Sequence, residues 1–350
     1  MLSSQATYAG SVASLPFSDA ISAVLTRRHL DVESMSAAVG ALVEGRWTQV
    51  QASGFLAALA GKGETIGELV GAAQALRTRS LRATHELPLV LDVCGTGGDG
   101  AGTINVSTCV AFVVAACGVP VAKHGNRAAS SRCGSADVLE FLGVPLDLSP
   151  EAAGRALARD GFAFLFAQHY HPAMKTVAAL RRELGVRTIF NIVGPLANPA
   201  GVTRQIVGVA RPEHVELVGN ALRVLGTQAA AVFHSNSGLD EIAGEGPTSV
   251  YRFDGTHALR YSIDPAEYGI FAPLDTLAGG DVATNAAALL AILDGERSPR
   301  ADVVALNAAL ALQVAGRAET LREGVALARQ TLANGAARGV LECAITAKSL

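Results

Sequence analysis

Residues 87–117 constrain the fold more than any other stretch of the chain. Leu87-Pro88-Leu89-Val90-Leu91-Asp92-Val93 reads as a short buried strand, Gly95-Thr96-Gly97-Gly98-Asp99-Gly100-Ala101-Gly102 as a loop, and 107–117 as a helix. Strand, loop and helix in that order begin an α/β layer arrangement. Further strands are expected at 119–122, 162–166, 205–209 and 229–234, the last three each followed by polar loop residues and a helical pattern. The expected fold is therefore α/β, with a mainly parallel central sheet flanked by helices.

Ahead of this region, 18–80 is helical throughout, with no strand-like run. Thr48-x-x-Gln51 and Thr65-x-x-Glu68 have capping-box spacing, in which two side chains satisfy orphan amides at a helix start. The apolar face of Phe55, Leu56 and Leu59 needs a cover, and part of that cover is expected from another subunit. Ser149-Pro150-Glu151 reads as a helix N-cap with proline at the first helical position. More helices are expected at 172–186, 285–293, 303–315 and 320–332. The division that follows is a loose lead-in over 1–18, a small all-helical domain over 19–84 joined by helices around 172–186, and a large α/β domain over 85–350.

Composition narrows the class. Half of the 350 residues are apolar and 17% are charged, which argues against disorder. The longest uncharged apolar stretch, 109–122, contains Gly118 and Pro120 and falls short of the roughly 20 residues of a membrane span. Residues 1–18 carry no Lys or Arg and no apolar core, unlike a secretory signal, so a cytoplasmic location is expected. Five cysteines without a Cys-x-x-Cys pair fit neither a disulfide framework nor a thiolate zinc site. A net charge of −3 without long single-sign runs lacks the footprint of a nucleic-acid binder.

The glycine loop lies where exposed amides and a helix dipole can hold a phosphate. Gly95-x-Gly97-x-x-Gly100 also fits the dinucleotide fingerprint, but that fold wants an acidic residue about 20 positions on, and 115–125 offers Lys123 and no acid. A Walker loop fails because no Lys-Ser or Lys-Thr follows the glycines. Asn105-Val106-Ser107-Thr108 opens the next helix, and Ser107 could cap it, bind a metal, or do both. Lys123-His124-Gly125-Asn126-Arg127 ends the next strand, so Lys123 and Ser131 would face the same site, the lysine offering a compact charge to a phosphate or departing pyrophosphate. Asp240 and Glu241 form a carboxylate pair in a later loop, and beside a polyanion such a pair implies a cation such as magnesium. His169-x-His171 has no third zinc ligand at a recognisable spacing; Tyr170 and His171 could line an apolar pocket mouth instead.

With these motifs in order, the chain resembles the anthranilate phosphoribosyltransferase family: GTGGDG at 95–100, NVST at 105–108, KHGNR at 123–127, GSADVLE at 134–140, HPAMK at 171–175, RTIFNIVGPLANP at 187–199 and GLDE at 238–241. Pyrimidine nucleoside phosphorylases share the architecture and a Lys-His loop but differ at the glycine loop and after Lys-His-Gly; a non-catalytic, nucleic-acid-binding relative would be expected to have lost some of the motifs. The resemblance implies that Gly95, Gly98, Asp99, Thr103, Asn105, Val106, Ser107, Thr108, Lys123, His124, Gly125, Asn126, Arg127, Ala128, Ala129, Ser130, Ser131 and Ser135 hold phosphoribosyl pyrophosphate. Ser107, Asp240 and Glu241 would bind magnesium, while Gly95, Asn126 and Arg181 would meet anthranilate. Lys123, Asn126 and Arg181 are the expected catalytic groups, with Arg182 the better candidate for a solvated helix arginine. A homodimer is implied, no nucleic acid or membrane is, and association with anthranilate synthase is left open.

Overall fold

The computed structural model describes residues 15–128, 132–255 and 257–347. Four helices come first: α1 (Phe17–Leu25), α2 (Val32–Val43), α3 (Gln49–Lys62) and α4 (Ile66–Arg77). The two expected capping boxes start α3 and α4. Thr48 Oγ1 accepts from the Gln51 N–H while Gln51 returns a carbonyl to the Thr48 N–H, and Thr65 and Glu68 repeat the exchange, each box contributing on the order of 1 kcal/mol. Phe55, Leu56 and Leu59 are fully buried within the single chain. The expectation that another subunit covers them is therefore corrected: Trp47 stacks edge-on against Phe55 at 5.2 Å, and helix α9 (Lys175–Leu184) packs on α2 and α3.

The sheet runs β1 (Leu91–Gly95), β2 (Val121–Gly125), β3 (Phe162–Phe166), β4 (Arg204–Gly208), β5 (Ala229–Ser235), β6 (Thr248–Asp254) and β7 (His257–Ile263) in chain order. In space the order is β3-β2-β1-β4-β5-β6-β7, with the first five parallel and the last two antiparallel. The remaining helices are α5 (Val106–Ala116), α6 (Ser135–Phe141), α7 (Pro150–Asp160), α8 (Ala167–Tyr170), α10 (His214–Val224), α11 (Val282–Leu293), α12 (Pro299–Ala315), α13 (Leu321–Ala333) and α14 (Ala336–Thr346). Ser149 caps α7 with Pro150 at its first position, as its sequence predicts. Alternate strand residues enter different cores. Ile206, Ala229, Ala231 and Phe233 join the core that includes α5 and α12 residues, whereas Val207, Ala230 and Val232 join the core shared with the four-helix unit and α10.

Three details depart from expectation. The first strand starts at Leu91, not Leu87: Pro88 has no amide for a ladder, and the Leu87 and Val90 amides bond to the His85 and Thr203 side chains instead. The second strand continues through Lys123, His124 and Gly125, which places that motif inside the sheet, not beyond its end. After β5 the chain turns into the antiparallel β6–β7 pair where a helical pattern was expected. Among the described residues no helix is long and apolar enough to cross a membrane.

Candidate active site

Strand order reverses between β1 and β4, and in open parallel sheets ligands bind outside the carboxyl ends of strands at such a point. Here Gly95, the last residue of β1, pairs in register with Gly208, the last of β4. A Cβ on Gly95 would collide with the Asp240 carboxylate, and one on Gly208 with the Asp240 backbone carbonyl. Two glycines at adjacent strand ends thus open the space that the 239–243 loop fills.

The carboxylates meet amides there. Asp240 Oδ2 accepts from the Gly97 N–H at 2.7 Å, and Glu241 Oε1 from the Ser107 N–H at 3.1 Å, in the first turn of α5. Burial, then the charge of Asp99, pushes the Asp240 carboxyl up to about 7 against the pull of that amide. Burial and the neighbouring Asp240 likewise push Glu241 well above the carboxylate range, with Lys123 opposing. Asn105 is the N-cap of α5 but its side chain does not cap; Nδ2 donates to the Cys133 carbonyl at 3.2 Å and Oδ1 accepts from Asn285 Nδ2 at 2.9 Å. Ser107 lies inside the first turn and does not cap the helix either. Its hydroxyl accepts from Lys123 Nζ at 3.1 Å.

Lys123 is buried, and Nζ also donates to the Val93 carbonyl at 2.7 Å. Burial pushes its ammonium down while Asp92 holds it up. It lies beside Ser107 at the site, bonded to a serine hydroxyl and a carbonyl. Val106 is packed in the core and Thr108 is fully buried, its Oγ1 without a partner among the described residues, so of that quartet Ser107 supplies the hydroxyl beside the carboxylates. Thr103 pairs its backbone with Ala278, and Gly279 N–H donates to the Gly102 carbonyl, bracketing the far end of the glycine loop.

A second group gathers at the end of β2. The His124 N–H donates to buried Asp92 at 3.1 Å, and its ring lies 5.1 Å from that of His171. Both Nε2 atoms are buried without a partner among the described residues. Burial drives His124 down to about 3 and His171 to about 4, so both rings are neutral near pH 7. His171 is therefore buried with its neighbour Tyr170, not exposed at a pocket mouth. Gly125 leaves room for Ser135 Oγ and the Phe164 ring. Exposed Asn126 accepts from Gln168 Nε2 at 3.3 Å, and its carbonyl accepts from Ser135 Oγ at 3.3 Å. Arg127 is neutralised by Asp137 at 3.0 Å and Glu140 at 2.7 Å and stands over Phe166, so its charge is already matched. Asp137 also takes the N–H groups of Ala128 and Gly134. Ala129, Ser130 and Ser131 lie outside the described residues.

Arg181, on α9, is half-buried over the Phe190 ring at 5.7 Å, with burial lowering its pKa. Among the described residues no carboxylate pairs with it, and no hydrogen bond joins it to Asn126. Arg182 is exposed, as expected of the solvated neighbour.

Comparison with known proteins decides what such a site belongs to. Residues 87–338 match the model of the glycosyl transferase family a/b domain, and 18–80 that of its helical bundle domain. The chain is 49% identical over 323 residues to the anthranilate phosphoribosyltransferase of Bradyrhizobium sp. (strain ORS 278), covering 92% of this chain and 96% of that protein. The chain belongs to the anthranilate phosphoribosyltransferase family. Another member, from Pelotomaculum thermopropionicum, is 48% identical over 91% of this chain and 93% of its own. The crystal structure of the Thermus thermophilus family member superposes with a TM-score of 0.90 at 44% identity, covering 95% of this chain and all of that one. The Saccharomyces cerevisiae enzyme, solved in complex with phosphoribosyl pyrophosphate and magnesium, superposes with a TM-score of 0.84 at 26% identity over 96% of this chain and 94% of that one.

Magnesium fits the donor set. Asp240, Glu241 and Ser107 offer oxygen only, and burial together with neighbouring carboxylates drives both carboxyls toward protonation, a crowding that a cation would relieve. Among the described residues no group of three His, Cys, Asp or Glu side chains could hold a metal ion by itself, so substrate oxygens and water would complete the shell. Two further residues of this family member escape a reading of the sequence. Asn307, buried in α12, accepts from the Ile242 N–H and donates to its carbonyl, both at 2.9 Å, and so pins the loop beside the carboxylates. Arg187 donates to the glycine loop from the segment after α9. A polar residue inside the Ala/Leu-rich run 303–315 was the available signal for Asn307; Arg187 left none beyond its place at the head of a motif.

Proposed function

We propose that the chain transfers the phosphoribosyl group of 5-phosphoribosyl 1-pyrophosphate to the amine of anthranilate, giving N-(5-phosphoribosyl)anthranilate and pyrophosphate, in tryptophan biosynthesis. The observation that carries it is the facing of two crowded carboxylates, Asp240 and Glu241, onto the glycine loop and the first turn of α5 at the sheet's reversal point. Amides of the loop and of α5 bind the phosphate oxygens. Asp240, Glu241 and Ser107 hold magnesium, which when bound neutralises charge on the departing pyrophosphate. Lys123 adds a fixed positive charge behind Ser107 and orients its hydroxyl.

Arg181 binds the anthranilate carboxylate; a half-buried guanidinium without a carboxylate partner among the described residues supports this. Asn126 orients the amine toward the anomeric carbon, which passes through an oxocarbenium-like state that needs no protein nucleophile. The aromatic amine is weakly basic and loses its proton late, so no general base is assigned. The chain works as a homodimer, a reading supported by exposed Leu25 and Val50 on the four-helix unit, and light scattering tests it. Loss of anthranilate fluorescence that requires protein, phosphoribosyl pyrophosphate and magnesium together is the expected result. No loss, with phosphorolysis of pyrimidine nucleosides in its place, would overturn the assignment.

A further inference from the structure

Arg187 follows α9 and leads the 187–199 run, a part of the chain to which the proposed chemistry gives no task. Its Nη2 donates to the Gly98 carbonyl at 2.7 Å and to the Gly97 carbonyl at 3.3 Å. These are its only hydrogen bonds among the described residues, and no carboxylate pairs with it there. Gly98 has φ +77°, and a Cβ on it would collide with that same Nη2. Glycine at 98 is thus required twice, by its backbone and by the arginine packed onto it.

From the other side, the Gly97 N–H donates to Asp240. The loop is held between a cation on its carbonyls and a carboxylate on an amide. In a trans peptide the C=O and N–H point in opposite directions. With the carbonyls of Gly97 and Gly98 turned to Arg187, the N–H groups of Gly98 and Asp99 are turned away from it, as successive donors of the kind that cradle phosphate oxygens. The guanidinium also polarises both peptides and so strengthens those donors.

An alternative duty for Arg187 would be to bind an anion of its own. It lines a cavity between the four-helix unit, at Ala60 and Glu64, and Thr96, Arg211 and His214 on the α/β side. That cavity is small, about 70 Å³. The hydrogen bonds of Arg187 run to the loop alone.

We propose that Arg187 is a positioning residue that holds the glycine loop with the Gly98 and Asp99 amides aimed at the pyrophosphate, an inference that rests on the phosphoribosyl-transfer reading. In Arg187→Ala the KM for phosphoribosyl pyrophosphate rises roughly ten- to a hundredfold, the loss expected for charge-assisted bonds, while the KM for anthranilate stays within about twofold. Arg187→Lys, which keeps the charge and can reach one carbonyl, recovers part of the loss. Hydrogen exchange of the wild type and Arg187→Ala shows faster exchange confined to a peptide spanning 97–102. An equal rise in both KM values, an unchanged KM for phosphoribosyl pyrophosphate, or faster exchange throughout the chain would each overturn the assignment. Should Arg187→Ala fail to fold, Arg187→Lys with no change in that KM overturns it. Absence of transfer activity in the wild type would instead sink the parent reading, and the exchange of the loop would still report whether the strap exists.

Discussion

Replacing His171 by Asn isolates the energetic cost of keeping an uncharged imidazole beside the site. Burial lowers His171 from its ordinary 6.5 to about 4, and the ring is 5% exposed. The folded pKa lies below the unfolded one, so between them the unfolded chain binds more protons and stability rises with pH. The stabilisation is fully present above about pH 6.5 and is lost as pH falls toward the folded value. At about pH 4.5 the unfolded ring is protonated by about 100 to 1 and the folded ring is mostly neutral, which amounts to about 2.5 kcal/mol for this one group. Asparagine places an amide where Nδ1 stands and does not titrate. Urea denaturation of wild type and variant at about pH 7.5 and about pH 4.5 gives four unfolding energies. Raised carboxylates such as Glu64 shift both proteins alike and cancel in the difference. The drop from the higher to the lower pH should be about 2.5 kcal/mol smaller in the variant. Equal drops would refute the burial argument, as would a His171 ring that titrates near 6.5 by nuclear magnetic resonance.

Asp240→Asn combined with Glu241→Gln removes the oxygen anions that face Ser107 and Gly97; most of the rate and its dependence on magnesium should vanish together, and normal magnesium-activated turnover would remove this pair from the metal site. Arg181→Ala should raise the anthranilate KM by roughly 10- to 150-fold, equivalent to about 1.5–3 kcal/mol, and an unchanged value would end the assignment. Asn307→Ala leaves the N–H and carbonyl of Ile242 without their partner at a cost of about 2–5 kcal/mol. Chemical denaturation measures the loss, and because the pinned loop carries Asp240 and Glu241, a magnesium titration of the rate should shift to higher concentration.

What the sequence makes legible follows from where the physics is local. Capping boxes at Thr48 and Thr65, the Ser149-Pro150 start and the five-residue apolar run 162–166 each declare themselves within a few positions, and each stands where its residues place it. The β6–β7 pair declares itself weakly. Its edge strand β7 has a short alternation, Leu259, Tyr261 and Ile263, but is exposed at four successive positions, so that alternation does not mark a buried face. Asp254-Gly255, where β6 ends, is the turn signal its sequence carries. The sequence also puts Lys123 at a strand end beside the glycine loop, but does not show its depth. That depth depends on the second strand continuing to Gly125 and on a carbonyl of Val93, thirty residues earlier, accepting its ammonium.

The same contrast explains the two residues that were missed. Each half of the site is held by a partner far along the chain: Asp240 by the Gly97 amide, the 239–243 loop by Asn307, and the glycine loop by Arg187. No local pattern encodes such a bond, because each donor and acceptor is chosen by the fold. The arrangement also makes the carboxylates and the glycine loop one unit. Asp240 Oδ2 accepts from the Gly97 amide while Arg187 holds the Gly97 and Gly98 carbonyls, so the carboxylate and the loop cannot move independently. Substitutions within the set should therefore not add, whereas distant changes in α13 or α14 should.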